Sequence, residues 1–487
     1  MSDRQMTSQE PPASDGASSP VAAARELARG ARALPEALRE LGAHRARHTR
    51  VSHQNHMPVP WHEVLDDHDV RAPEAGIADK SSLICRLGLL KLSGGSGAWR
   101  VREAMNAVAE VLGVTISTDV SLTSIECTCF DDEGSFSEVA SLTTTGVNTE
   151  RIWQTERLVR DLTRRGAELT VGEWHALMDQ IEHRPGNYAP WQVGLASAAA
   201  CGAFVFLLGG GPIEMFCAFV GAGLGMVTRR LMADRNLTHF ACIGVGVTVA
   251  CLAYLGMLWL LSLIIPGAMD HEAGYIGAML FVIPGFPLIT SGLDLAKLDI
   301  RSGVERLVYA CTVIVVATLV AWLVASVVRL RPDDFAPLGL SPTIELALRL
   351  IASFTGVYGF SVLFNSPHRM ALAAGVVGAL ANTLRLTLAD AVDMPPEAAA
   401  FVGALCAGLL ATVASRRAGL PRISITVPSI VIMVPGLYLY RAVYYMGTFE
   451  TIAALNWIVR AIMIVLFLPM GLAVARMITD SDWRHCS

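Results

Sequence analysis

The chain has 487 residues, 53% of them hydrophobic and 17% charged, with a formal net charge of −5 at pH 7. The length predicts more than one domain, and the charges are too segregated for the net value to decide much. Ten cysteines are scattered without a zinc-like pair of pairs, so a disulfide framework and a metal site are both set aside, and no nucleic-acid partner or cofactor is expected.

Residues 1–76 read as a variable N-terminal arm. Its first 20 residues are a disordered tail by composition. Residues 21–48 can form a basic amphipathic helix broken near Pro35, although a solvated arm fits better. No apolar h-region occurs in residues 1–30, so no cleavable signal peptide is expected and insertion uses the first span. His44, His48, His53, His56, His62 and His68 match no common metal spacing.

Residues 77–190 predict a small cytosolic α/β domain. LICRLGLLKL (83–92) has helical period, and after SGGSG comes AWRVREAMNAVAEVLG, with Val101, Ala104, Met105, Val108 and Val111 on one stripe. VTISTDV, TSIECTCF and FSEVASLTTT predict three short strands. Two more helices follow, TERIWQTERLVRDLTRRG ending at Gly166 and LTVGEWHALMDQIEH. Ser93, Ser96, Asp119, Asp131 and Asp132 offer a nucleophile and carboxylates, but no GxSxG elbow is present. His175 and His183 read as surface residues.

From residue 191 onward, apolar runs long enough to cross a bilayer follow one another. They predict ten transmembrane helices: 191–208, 212–228, 240–265, 273–293, 304–328, 343–364, 370–389, 396–414, 423–445 and 454–476. With the N-terminal domain in the cytoplasm, Arg229, Arg230, Arg235, Lys297, Arg301, Arg306, Arg369, Arg416, Arg417, Arg422, Arg476 and Arg484 lie inside. Only Arg329, Arg331 and Arg385 lie outside, so both termini are expected to be cytoplasmic.

The two membrane segments, 191–329 and 342–478, resemble each other. Pro212, Met215, Gly223 and Arg230 recur at one offset as Pro367, Met370, Gly378 and Arg385. Pro284-Gly285, Leu288, Val308 and Ala310 recur at a slightly shorter one as Pro435-Gly436, Leu439, Val459 and Ala461. Five spans is an odd number, so the second set must enter upside down: a 5+5 inverted repeat, a common plan of secondary transporters.

Pro284, Gly285, Pro287, Pro435 and Gly436 interrupt the fourth and ninth spans. In hydrocarbon, broken helix is tolerated only against protein or a wet cavity. The paired breaks therefore predict one transport site between the two sets. Ionisable residues in the spans are the next candidates. Asp294 follows the first break and is suited to a proton or an ammonium. Arg441 follows the second and is suited to a carboxylate. Tyr438 and Tyr440 are polar handles at similar depth. Glu214, Asn382 and Arg460 are secondary candidates, with interhelical hydrogen bonds or snorkelling as the alternatives.

Three stretches carry a resemblance. LLKLSGGSGAWRVREAMNAVAEVLGV (89–114), VIPGFPLITSGLDL (282–295) and VPGLYLYRAVYY (434–445) are together similar to the bacterial threonine/serine exporter family, over about residues 80–476. Lys91 and Trp99 depart from its usual small or polar residues. The resemblance implies a cytosolic domain ahead of ten spans and export of threonine and serine across the inner membrane, driven by the proton motive force. Relatives with the two sets as separate chains look like dicarboxylate exporters. The expectation is thus a multi-pass inner-membrane transporter, not an enzyme, with threonine or serine and protons as its small partners. A dicarboxylate exporter using Arg441 with Arg460 or Arg349 is the alternative, and a hydrolase or sensor in the N-terminal domain is another. No GxxxxGK[ST] occurs, which disfavours an ATP-driven pump.

Overall fold

A computed structural model describes residues 59–484 except 63–66, 133, 144 and the side chain of Asp482. The N-terminal arm up to residue 58, with His44, His48, His53 and His56 and the 21–48 helix, lies outside the described residues. His62 and His68, from the same histidine run, contact Asp179 at 2.8 Å and Asp69 at 3.3 Å.

The small domain packs helices against one face of a three-stranded antiparallel sheet of order β1-β2-β3. The strands are β1 (Thr115–Val120), β2 (Ser124–Phe130) and β3 (Ser135–Ser141). Along β2 the side chains of Ile125, Cys127 and Cys129 are buried while Glu126 is exposed, the period-2 alternation of a half-buried strand. They meet α1 (Ile77–Ser93) and α2 (Ala98–Val111), whose Leu83, Ile84, Leu87, Val101, Met105 and Val108 complete the core. Helix α1 starts earlier than its apolar period implies. Its first turn, Ile77-Ala78-Asp79-Lys80, is held by Asp79, which accepts from the Asp67 N–H at 3.2 Å.

Two further helices follow with explicit caps. The Asn148 side chain accepts the Arg151 N–H at 3.0 Å to open α3 (Thr149–Arg165). A reciprocal Thr170–Glu173 capping box, at 2.9 and 3.2 Å, opens α4 (Val171–Glu182).

Among the described residues, eight helices are long and apolar enough to cross a membrane. They are α5 (Pro190–Leu207), α6 (Pro212–Asp234), α7 (His239–Ser262), α10 (Ile300–Val328), α11 (Pro342–Leu363), α12 (His368–Ala391), α13 (Pro396–Ala418) and α16 (Thr451–Thr479). Two bent pairs raise this to ten if each is one span. Residues Ala268–Val282, which include α8 (Tyr275–Met279), meet α9 (Gly285–Ala296) at 56°, and α14 (Arg422–Val431) meets α15 (Gly436–Gly447) at 47°. Close helix packing comes from small residues. Ala400, Ala404, Ala407 and Ala411 of α13 are fully buried at helical spacing, and Ala404 lies so close to α16 that a Cβ at Gly471 would stand 3.0 Å from its methyl group.

His175 corrects the sequence reading. It is fully buried, because Arg86 and Ser82 of α1 meet its two ring nitrogens at 2.8 and 3.3 Å. Burial, reinforced by the Arg86 guanidinium and His62, pushes its pKa down to about 3. Above its ordinary value near 6.5 the imidazole is neutral whether the chain is folded or not. Below that, the unfolded chain takes up a proton that the folded chain refuses, so stability falls as the pH drops from about 6.5 towards 3. At pH 5 this term amounts to about 2 kcal/mol. Amide exchange across α1 and α4 of the whole protein should therefore report easier opening at pH 5 than at pH 7.5. A His175→Asn variant should show a smaller pH difference, and equal differences would reject the assignment.

Candidate functional site

The two breaks share one backbone construction. Pro284 (φ −81°, ψ 60°) and Pro435 (φ −80°, ψ 57°) each centre an inverse γ-turn. The Gly285 N–H donates to Ile283 O at 2.8 Å, and the Gly436 N–H donates to Val434 O at 2.8 Å. Each turn opens a helix of 12 residues. Each helix is followed by one left-handed residue, Leu298 (φ 64°) or Phe449 (φ 61°), and then by a helix of 29 residues.

The breaks face each other across an apolar layer. Phe204, Leu280, Ile283, Phe360, Val431 and Val434 enclose about 10 Å³ beside Gly285 and Gly436. That is the lower limit for one water. A cavity of about 510 Å³ lies on the small-domain side and reaches Pro284, Pro287 and Thr290. A second, of about 420 Å³, reaches Leu437 and Arg441 beneath the 334–340 segment. That segment follows α10, whose first residues contact the small domain through the Arg301–Asp119 ion pair. A 29-residue helix spans roughly 43 Å, so the second cavity is on the far face. Both cavities are in the size range of small-molecule sites.

Asp294 lines neither cavity. It is fully buried at the foot of α9, against the small domain. Its carboxylate accepts the Ala98 N–H at 3.2 Å and the Ser302 hydroxyl at 2.9 Å, and pairs with Arg306 Nε at 3.1 Å. Arg306 also donates to Ser96 O at 2.7 Å. The N-cap of α2 is Gly97, which has no side chain to satisfy the free N–H groups there. The carboxylate from α9 does so instead, with the favourable charge for a helix N-terminus. A Cβ at position 97 would stand 2.5 Å from Asp294 Oδ1. The SGGSG loop and the Asp of the first break thus form one contact.

The small domain also grips the turn between α11 and α12. Thr149 Oγ1 meets Ser366 Oγ at 2.7 Å, and Asn365 Nδ2 donates to Asn148 Oδ1 at 3.0 Å. Trp99 packs edge-on against Trp483 with ring centroids 5.6 Å apart.

On the far face, Arg441 donates to Asp334 Oδ1 at 2.7 Å and Asp333 O at 3.1 Å, and stacks on Trp457. Tyr438 lies against the same indole. Tyr440 is fully buried and shares a 2.6 Å hydrogen bond with Tyr275 of α8, joining the two bent helix pairs. The secondary candidates lie apart from the breaks. Glu214 caps its own helix through the Gly211 N–H at 3.0 Å and meets His271 at 2.7 Å. Asn382 bonds Ser353 and Arg385. Arg460 is exposed beside Trp457.

The sequence reading missed the arginines of the larger cavity. The sequence alone marks Arg229 and Arg306 as end-of-span charges and leaves Arg151 within the TERIWQTERLVRDLTRRG helix without a role of its own. The residues weighed there for enzyme chemistry are dispersed. Ser93 accepts from Arg151 at 3.0 Å, Asp119 pairs with Arg301, and Asp131 and Asp132 lie in the β2–β3 turn.

Residues 82–328 match the family described as "Putative threonine/serine exporter", and residues 349–478 match "Threonine/Serine exporter, ThrE". A probable threonine/serine exporter of Mycobacterium tuberculosis is 26% identical over 388 residues, covering 76% of this chain and 70% of that protein. The threonine/serine exporter of Corynebacterium glutamicum is 24% identical over 392 residues, 76% of each chain. The probable succinate transporter subunit YjjP of Escherichia coli is 24% identical over 254 residues, 49% of this chain and 93% of that one. No solved structure matches.

Proposed function

The chain belongs to the threonine/serine exporter family, and from that footing we propose that it is a secondary exporter of threonine and serine in the bacterial inner membrane. The proton motive force drives it. Ten spans form a 5+5 inverted repeat, the small domain and both termini are cytoplasmic, and transport alternates about the two broken helices. The observation that carries this reading is the matched pair of inverse γ-turns, with a cavity on either side of one thin apolar layer. A layer a few side chains thick is what small movements of two helices can open to one side or the other.

In this reading Pro284, Gly285, Pro287, Pro435 and Gly436 form the moving layer. Arg441, Tyr438 and Tyr440 serve the outer half of the path. Asp294 ties the inner half to the cytosolic domain, since its oxygens are engaged by Ala98, Ser302 and Arg306.

The primary test is efflux from cells loaded with a threonine-containing dipeptide, compared between deletion and complemented cells. Equal efflux from both would sink the proposal. A second experiment addresses topology. In a cysteine-free background, Thr290→Cys should react with an impermeant maleimide only from the cytoplasmic side and Leu437→Cys only from the outside. Labelling of both from one side would overturn the inverted arrangement.

One observation favours a second reading, a dicarboxylate as solute. Among the described residues the inner cavity is lined by arginines and by no aspartate or glutamate. Succinate added as competitor in the same efflux assay separates the two.

A further inference from the structure

Five arginines line the cavity between the small domain and the spans: Arg151, Arg184, Arg229, Arg230 and Arg306. Three have carboxylate partners. Arg306 pairs with Asp294 at 3.1 Å, Arg184 with Glu150 at 3.2 Å and Arg230 with Asp234 at 3.8 Å. The other two form no ion pair among the described residues. Arg151 donates to Ser93 Oγ at 3.0 Å and to the Glu182 carbonyl at 3.2 Å, neither of them charged. Arg229, on α6, has no hydrogen-bond partner among the described residues.

Two half-buried cations on one cavity, Arg229 without an ion-pair partner and Arg151 sharing the more distant Glu182 with Arg86, are an electrostatic demand for an anion. One belongs to the small domain and the other to a span, so the demand exists only where the two parts meet. The planar fork of a guanidinium matches a carboxylate, with two parallel N–H donors for two oxygens. Among the described residues no acidic side chain lines the cavity, either to compete for them or to receive an ammonium group.

We infer that this cavity is a capture site for the carboxylate of the exported solute, with Arg151 and Arg229 as its two cations. The small domain is then a wall of the solute path. The inference rests on the exporter reading and deepens it. It assigns recognition at this stage to the carboxylate and none to the amino group. An α-hydroxy acid of threonine's size should therefore compete with threonine for export, whereas the matching amino alcohol should not.

The test uses the full chain in phosphatidylcholine proteoliposomes, with the initial rate of transport followed against solute concentration. Wild-type transport of threonine or succinate establishes the exporter reading first, and its absence for both would fail that reading separately. Arg151→Gln and Arg229→Gln should each raise the half-saturating concentration about tenfold while the maximal rate stays within about twofold, a loss of roughly 1.4 kcal/mol of binding per tenfold. Arg151→Lys and Arg229→Lys should recover most of it, because the charge remains. An unchanged half-saturating concentration, or a fall in maximal rate alone, would overturn the inference. So would a difference between wild type and variants that appears only when phosphatidylglycerol is added, because the arginines would then hold a lipid headgroup.

Discussion

Replacing Asp294 with asparagine is expected to reduce efflux to background while the protein still inserts and accumulates in the membrane. The asparagine keeps one acceptor for the Ala98 N–H, but it turns an amide towards the buried Arg306 guanidinium and removes the charge that balanced it. Removing one partner of a buried ion pair costs about 3–5 kcal/mol, chiefly because the remaining charge is stranded. Here the stranded group is only 3% exposed. The loss lands on the junction between α9 and the first turn of α2, so the small domain loses its hold on the helix that follows the first break.

A proton carrier and an anchor both predict that loss, and two further variants separate them. Gly97→Ala leaves every titratable group in the chain, yet its Cβ would press to 2.5 Å from Asp294 Oδ1 and disturb the seat of the carboxylate on α2. An anchor predicts that Gly97→Ala lowers efflux at least severalfold, whereas a proton carrier predicts little change. An Asp294→Leu/Arg306→Met double variant removes both charges, and such replacements of whole buried pairs are often neutral or stabilising. Partial recovery of efflux in the double variant over Asp294→Asn would support anchoring. A double variant as inactive as the single one, with Gly97→Ala fully active, would return Asp294 to the proton.

The legible parts of this molecule are those written locally. Apolar blocks give spans because a bilayer demands about 20 apolar residues in a row, and Pro-Gly gives a break because its backbone chemistry is its own. The matched turns at Pro284 and Pro435 were visible for that reason, as were the helices and strands of the small domain. Partnerships across the chain were not visible. Ala98 and Asp294 are separated by 196 positions, and Arg441 and Asp334 by 107. Nothing local in SGGSG says that its helix is capped by a carboxylate from a membrane span. The same blindness made His175 look like a surface residue, because the Arg86 and Ser82 that satisfy its ring come from α1. Arg229 and Arg306 were hidden differently. A positive charge near a span end already has an explanation in membrane topology, and only the cavity shows a second use for it.

Valine at either glycine of the breaks is expected to stop transport. A Cβ at Gly436 would meet Leu280 Cδ2 at 2.7 Å and Ile283 Cγ1 at 3.5 Å, both on the shoulder of the first break. A Cβ at Gly285 would meet Val431 Cγ1 at 3.2 Å and Val434 Cγ2 at 3.4 Å, on the shoulder of the second. Neither glycine has a positive φ, so each is there for closeness to the other break and not for a special backbone angle. Overpacking of this kind costs about 1–3 kcal/mol, which leaves the fold standing. Its larger effect is kinetic, since the branched side chain wedges the layer that must part in the proposed alternating cycle. Gly436→Val and Gly285→Val should both give background efflux at normal abundance, and the alanine variants should fall between them and wild type. The near-equality of the pair is the sharper expectation. Each glycine contacts the other's break, so a two-fold relation between the spans predicts two similar losses. A blocked Gly436→Val beside a fully active Gly285→Val would mean that only one of the breaks takes part in the movement.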